Sequence, residues 1–131
     1  MNALRDAIYT QLASGTALTT ALGGTAIYHL HAPEGAALPY VVFSWQGGGD
    51  LNIDPNETSE TVQFIRAYAA SDAAAGTIDG LVRARLHRQS VTVTGYNTVY
   101  CWREGDYETV ETTAGTAIYT HGGFYRIRIT K

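Results

Sequence analysis

Pro39-Tyr-Val-Val-Phe-Ser-Trp-Gln-Gly-Gly-Gly49, Asp50-Leu-Asn-Ile-Asp-Pro-Asn-Glu-Thr-Ser-Glu60 and Thr61-Val-Gln-Phe-Ile-Arg-Ala-Tyr-Ala-Ala70 make up the stretch whose reading decides the fold. Two runs rich in β-branched and aromatic residues flank a Gly-rich, acidic connector, the pattern of a strand, a long excursion and a second strand. In the first strand Val41, Phe43 and Trp45 share one face and Tyr40, Val42 and Ser44 the other, so both faces carry apolar bulk and a helix is expected on at least one of them. In the second, Val62, Phe64, Arg66 and Tyr68 alternate with Gln63, Ile65, Ala67 and Ala69. Long connectors inside compact domains are uncommon and more often functional than idle. The strands are therefore expected to be scaffold and the loop 47–60 a contact arm.

Working outward toward the N-terminus, Ile27-Tyr-His-Leu-His31 reads as a strand ended by Ala32-Pro33 and the turn Glu34-Gly35. Before it, Leu4, Ile8 and Leu12 recur at i, i+4, i+8, with Ala3 and Ala7 widening the face, which predicts a helix over 2–14. A short second helix is expected next, with Thr16 as its N-cap, Ala17, Leu18, Ala21 and Leu22 as its apolar side and Gly23-Gly24 as its stop. Toward the C-terminus, Ser71-Asp72 caps a helix over about 72–88 whose apolar stripe is Ala74, Ile78, Leu81, Val82 and Leu86. The remaining third reads as a meander of strands, Ser90–Tyr96, Thr98–Glu104, Tyr107–Thr113, Ala117–Thr120 and Phe124–Thr130, with tight turns at Gly95-Tyr-Asn97 and Glu104-Gly-Asp106. In the last strand Tyr125, Ile127 and Ile129 face the core while Arg126, Arg128 and Thr130 face solvent or a partner. Together these elements predict an α+β fold, a mainly antiparallel sheet with the N-terminal and central helices packed on one face.

At 131 residues, the chain is expected to be a single domain over 1–131 with one core. A net charge of −3 argues against gripping nucleic acid through phosphate neutralisation, which needs a concentrated excess of Lys and Arg. A lone cysteine, Cys101, forms no internal disulfide. The N-terminus lacks the apolar core of a signal peptide, so the expected setting is a cytoplasm.

Several arrangements invite a chemical reading. His29-Leu-His31 in a strand would place two imidazoles on one face, a start for a metal site whose third ligand the spacing does not select from His87, His121 or Glu34. Cys101 sits on a strand face with Val99 and Arg103 in a Tyr/Trp-rich setting, which favours a buried, inert thiol. Gly47-Gly-Gly49-Asp50 lacks the Lys-Ser/Thr and the following helix of a phosphate cradle. Asp50, Asp54, Glu57 and Glu60 lack the spacing and fixed glycine of a calcium loop. Arg83, Arg85, His87 and Arg88 suit a helix C-terminus. No catalytic constellation emerges, and neither cofactor nor metal is expected.

Four features taken together resemble a known family: Leu4-Arg-Asp-Ala-Ile-Tyr9, Gly24-Thr-Ala-Ile-Tyr28, Ala32-Pro-Glu-Gly-Ala-Ala-Leu-Pro-Tyr-Val-Val-Phe43, and Ile65-Arg-Ala-Tyr-Ala-Ala-Ser-Asp72 leading to Leu86. With the closing Phe124-Tyr-Arg-Ile-Arg-Ile-Thr130, the order resembles the tail-completion, or tail terminator, proteins of long-tailed bacteriophages and related prophages. The resemblance implies a non-enzymatic virion protein that assembles in the host cytoplasm and works at the tail or neck. It implies a ring, usually a hexamer, on the head-proximal end of the tail tube, between the major tail tube protein and the head-completion or connector protein. Genomic DNA would pass its lumen without sequence-specific binding, and no membrane is involved. The residues expected at an interface or the lumen are Asp50, Leu51, Ile53, Asp54, Glu57 and Glu60 of the connector, with Arg126 and Arg128. A head-completion adaptor on the portal side, and a small metal- or ligand-binding domain using His29 and His31, are the alternatives.

Overall fold

Leu4, Ala7, Ile8 and Leu12 are all buried, so the spacing that predicts the first helix is also the stripe it buries, in α1 (Asn2–Ala13). The computed structural model describes residues 2–51 and 58–131. Gly15 precedes α2 (Thr16–Leu22), so Thr16 is its first helical residue and not its cap, and Gly23 closes it in the left-handed conformation. A fully buried aliphatic side chain contributes roughly 1.5–3 kcal/mol, which is how α1 and so short a helix as α2, with Leu18 and Leu22 inside, are held by packing more than by propensity. Ser71 caps α3 (Asp72–Leu86), its hydroxyl accepting from the Ala74 N–H at 3.2 Å. The buried stripe of α3 is Ala75, Ile78, Val82 and Leu86; Ala74 and Leu81 lie at its margins.

Five strands form one sheet in the order β1-β2-β3-β5-β4: β1 (Ile27–His29), β2 (Tyr40–Asp50), β3 (Thr58–Ala69), β4 (Asn97–Thr113) and β5 (Thr116–Thr130). Only β1 and β2 run parallel; the rest is antiparallel. The three helices share a core with Val41, Phe43, Ile65, Ala67, Tyr125, Ile127 and Ile129 from one face of the sheet. The expected α+β fold with helices on one face is present, and its central strand is β3.

Three expectations about connections are corrected. Both ends of the loop 47–60 are strand: β2 runs to Asp50 and β3 starts at Thr58, pairing Gly47↔Val62, Gly48↔Thr61, Gly49↔Glu60 and Asp50↔Ser59 after an irregularity between Trp45 and Gly47. Gly48 has φ +93 and a Cβ there would stand 2.1 Å from the Glu60 carbonyl oxygen. Glycine in this run therefore serves a close backbone approach, which local reading mistakes for a hinge. The meander is also replaced, by a single long hairpin. Glu104-Gly-Asp106 lies inside β4 at an irregularity between Arg103 and Gly105, and residues 90–96 form no strand, although Val91 and Val93 are buried. The β4–β5 turn is Ala114-Gly115, with φ of 51 and 80, the two positive values a right-twisted two-residue hairpin needs. Finally, β1 ends at His29, and Leu30 takes φ 71, so His29 and His31 do not alternate along one strand.

Arg103 holds the hairpin beneath α3. Its guanidinium meets the Asp79 carboxylate at 2.8 Å through two nitrogens, the Asp106 carboxylate at 2.7 Å, the Gly122 carbonyl at 2.6 Å and the Tyr125 hydroxyl at 3.3 Å. Arg103 is 8% exposed and Asp79 14%, so removing one partner strands a charge away from water. Arg103→Met is expected to lower the unfolding free energy by about 3–5 kcal/mol, read as a reduced urea midpoint. Arg103→Met combined with Asp79→Leu is expected to recover much of that loss, because both charges leave together.

Candidate functional site

The sheet face turned away from the helices carries the densest set of unusual contacts. On it, β5 alternation exposes Arg126 and Arg128 opposite the buried Tyr125, Ile127 and Ile129. Glu60 of β3 lies between them: its Oε1 accepts from Arg126 Nη1 at 2.6 Å, and its Oε2 from Arg128 Nε at 2.9 Å and also from Arg128 Nη2. Arg126 reaches across to Glu104 of β4 at 2.6 and 3.1 Å. Tyr100 stacks on Trp102 with ring centres 3.9 Å apart and planes 3° apart, and the Arg128 guanidinium lies 5.3 Å from the Tyr100 ring centre. Further along, Phe64 stacks on Phe124 and meets Tyr107 edge-on, with Arg66 4.4 Å above the Phe64 ring; Tyr40 stacks on Tyr68 and meets Tyr28 edge-on. This face is ordered by aromatic and charge-assisted contacts, and no helix covers it among the described residues.

The Glu60 carboxyl is held down to about 2, chiefly by the hydrogen bond from Arg126 and then that from Arg128, against the opposing effect of partial burial. Burial, and after it the hydrogen bond to Glu60, raises the Tyr100 hydroxyl above its usual range. On the helix side, burial pushes the Cys101 thiol up to about 12, so the inert reading of that residue agrees with its surroundings. His87 caps the end of α3, and its Nδ1 accepts from the Arg103 backbone N–H at 2.9 Å; burial, and then Arg83, Arg88 and Arg103, lower its pKa. Arg85 caps α1: it donates to the Gln11 carbonyl at 2.9 Å and to the Ser14 hydroxyl at 2.8 Å. Of the basic cluster, Arg85 and His87 are thus tied into the fold, while the Arg83 and Arg88 side chains are exposed.

Of the residues expected at an interface, the structure brings together Glu60, Arg126 and Arg128, as partners of one another. Glu60 is only 12% exposed and is not a free acid on a lumen wall. Leu51 is half-buried, its N–H donating to the Thr58 carbonyl at 2.9 Å, and Asp50 pairs in register with Ser59. Ile53, Asp54 and Glu57 lie outside the described residues. Among the described residues, one group gathers three potential metal ligands, and it contains neither His29 nor His31: Asp72, Glu108 and His121, whose ligand atoms lie within 4.8 Å of one another. His121 Nε2 is 2.7 Å from Asp72 and Nδ1 is 3.8 Å from Glu108. The two carboxylates address opposite ring nitrogens, an ion-pair geometry that ties α3 to the β4–β5 hairpin. Sequence reasoning missed Arg103, Tyr100 and Glu104, because each takes its role from a partner remote in sequence, and it missed Trp102, whose stack on Tyr100 joins two positions of one strand; only the alternation of Arg126 and Arg128 in β5 pointed to this face.

The family described as Tail completion protein gp17 matches residues 6–129, nearly the whole chain. The chain belongs to the tail completion protein family. That places it among structural proteins of phage tails. No curated protein matches the sequence. A chain of the virion of the native gene transfer agent (GTA) particle has the same fold: 19% identity, TM-score 0.80, alignment covering 98% of this chain and 95% of that one. A second solved chain, 10% identical, aligns with TM-score 0.68 over 99% of this tail completion protein and 94% of its own length.

The Glu60 bridge sets an acid limb of stability. Its carboxyl titrates lower in the folded protein than in the unfolded chain, so the bridge stabilises fully above pH 4.5, and that contribution is lost as pH falls toward about 2. Glu60→Gln, which cannot ionise, is expected to show a shallower loss of stability across that window in urea titrations at a series of pH values. Parallel profiles for the two proteins would show that the bridge does not couple to folding.

Proposed function

We propose that this chain closes the head-proximal end of a phage tail tube as a ring, most simply a homohexamer, which stops tube polymerisation and forms part of the head–tail interface. The observation that carries this reading is the family match over residues 6–129. The partners are the major tail tube protein on one side and the head-completion or connector protein on the other. The subunit assembles in the host cytoplasm and remains in the virion at the neck. Genomic DNA passes through the lumen, and a net charge of −3 supports passage without retention, since a basic wall would bind the phosphates.

In this reading the β2–β3 hairpin is the contact arm. Glu60, clamped by Arg126 and Arg128, and the Thr58 and Thr130 hydroxyls 3.0 Å apart brace its base against β5. Asp50 closes β2 and Leu51 follows it. The proposed contact is made by these residues with Ile53, Asp54 and Glu57, while Glu60, Arg126 and Arg128 hold β3 to β5.

Replacing residues 52–57 by a short Gly/Ser link tests the arm. The domain is expected to unfold at the same urea concentration while its affinity for tube ends falls about tenfold or more, the equivalent of about 1.4 kcal/mol. Tube lengths measured by electron microscopy in a polymerisation reaction give the readout. Unchanged capping would remove the arm from the mechanism. Tails made without the subunit are expected to be overlong; tails of normal length that fail to join heads would instead assign the protein to the portal side.

A further inference from the structure

The exposed large hydrophobic side chains among the described residues are Tyr9, Leu30, Trp45, Trp102, Tyr107 and Val110, from 37% to 61% exposed. They fall into two sets at opposite ends of the sheet. Trp102, Tyr107 and Val110 all belong to β4, the last strand in the order. Tyr9, Leu30 and Trp45 lie at the other end, where two adjacent cavities of about 480 and 180 Å³, with Arg5 and His29 in the walls of both, form a grooved surface. Tyr9 lines the first, Leu30 and Trp45 the second.

Each end also carries an open strand edge. β1 covers β2 only from Val41 to Phe43, leaving Ser44 to Asp50 without a strand partner on that side among the described residues. On β4, the early part of the edge is occupied: the Arg88 N–H donates to the Cys101 carbonyl, and the Arg103 N–H to His87. Beyond Arg103 no strand lies outside β4 among the described residues. Leu30 adds a separate sign of a missing partner. It holds φ 71, a conformation unfavourable for a leucine, and at 61% exposed it gains almost nothing from burial in return.

We infer that the groove formed by Tyr9, Leu30 and Trp45 receives the β4 edge of a second copy of this chain, bearing Trp102, Tyr107 and Val110. The contact joins two different patches, so it runs head to tail and closes into a ring or continues. Charge excludes the symmetric alternative. Glu104, Asp106, Glu108 and Glu111 are exposed along β4, so two β4 strands laid edge to edge would face acid with acid. Among the residues lining the groove the single acid, Asp6, is already paired with Arg5 at 3.2 Å, so the groove lacks the run of acids that β4 carries. The inference rests on the ring reading for its setting and on the two edges for its chemistry.

Leu30→Asp blocks the groove and leaves β4 intact, while Val110→Asp does the reverse. Aspartate tolerates a positive φ better than leucine, so Leu30→Asp is expected to fold with equal or greater stability, which separates loss of association from loss of fold. In analytical ultracentrifugation each variant alone is expected to associate at least tenfold more weakly than the wild type. An equimolar mixture is expected to yield a one-to-one dimer and nothing larger, because only one competent groove–edge pair remains. On purified tail tubes, a Leu30→Cys/Val110→Cys variant treated with a short bis-maleimide is expected to give a ladder of cross-linked subunits; Cys101 is buried and does not compete. Wild-type assembly by either single variant, or failure of the mixture to dimerise while the wild type assembles, overturns the inference and leaves the ring reading standing. A wild type that stays monomeric in solution, with no ladder on the tubes it caps, overturns the inference; a wild type that neither associates nor caps tubes overturns the ring reading as well. Head-to-tail association without tube capping sinks only the capping role.

Discussion

Arg103 brings five N–H donors into the space between α3 and the β4–β5 hairpin, and the acceptors there take all five: both oxygens of Asp79, one of Asp106, the Gly122 carbonyl and the Tyr125 hydroxyl. A guanidinium at 8% exposure is tolerable only on those terms, since any donor left over would carry its full desolvation cost. Much else follows from fitting it. A Cβ at position 123 would lie 2.4 Å from Arg103 Nε, so Gly123 carries none, and the irregularity at Gly105 lets β4 bend past the same group. Burial drives the Tyr125 hydroxyl up to about 12, keeping it protonated beside the cation. α3 is thereby fixed over β5 and β3, and through the Arg85–Gln11 and Arg85–Ser14 bonds α1 is fixed to α3.

The two faces of the sheet are stabilised by different physics. Under the helices, apolar burial dominates, with Ile65, Ile127 and Ile129 shielded from solvent and Cys101 as inert filler. On the outer face, no helix excludes water, and order comes from ring stacking and charge-assisted hydrogen bonds held in strand register. Exposed ion pairs are individually worth little. Glu60 departs from that rule because two arginines converge on a carboxylate that is itself 12% exposed, so the bridge behaves as a strut between β3 and β5.

Periodic patterns were legible in the sequence wherever burial alone chose the residue. The stripe of α1, the Ser71 cap of α3 and the inward Tyr125, Ile127 and Ile129 were readable because each depends on near neighbours in sequence. Glycine was not legible. Gly48 and Gly105 read locally as punctuation, and Gly123 falls between two expected strands, yet each lies within a strand; another chain segment passes close at Gly48 and Gly123, and Gly105 sits at an irregularity of β4. Only the partner's position distinguishes the two uses. The same holds for the Arg103–Asp79 pair, 24 positions apart, and for Glu60, whose arginine partners lie 66 and 68 positions away. His29 and His31 failed for the complementary reason: alternation holds only while the strand continues, and Leu30 ends it.

The proposed ring sets its subunit two demands that conflict in a monomer. It needs apolar surface to bind its neighbour, and it must avoid binding that surface in itself or in a symmetric dimer. Placing the exposed aromatics at the two far edges of one rigid sheet meets the first demand and keeps the patches apart within a subunit. The acids along β4 address the second, because they make the edge repel its own kind. The geometry of the fold then determines the angle between neighbours, since both edges belong to the same five strands and the same Arg103-centred junction. A change that loosens that junction would alter the relative angle of the edges before it altered either edge, and a ring closes only when that angle is held.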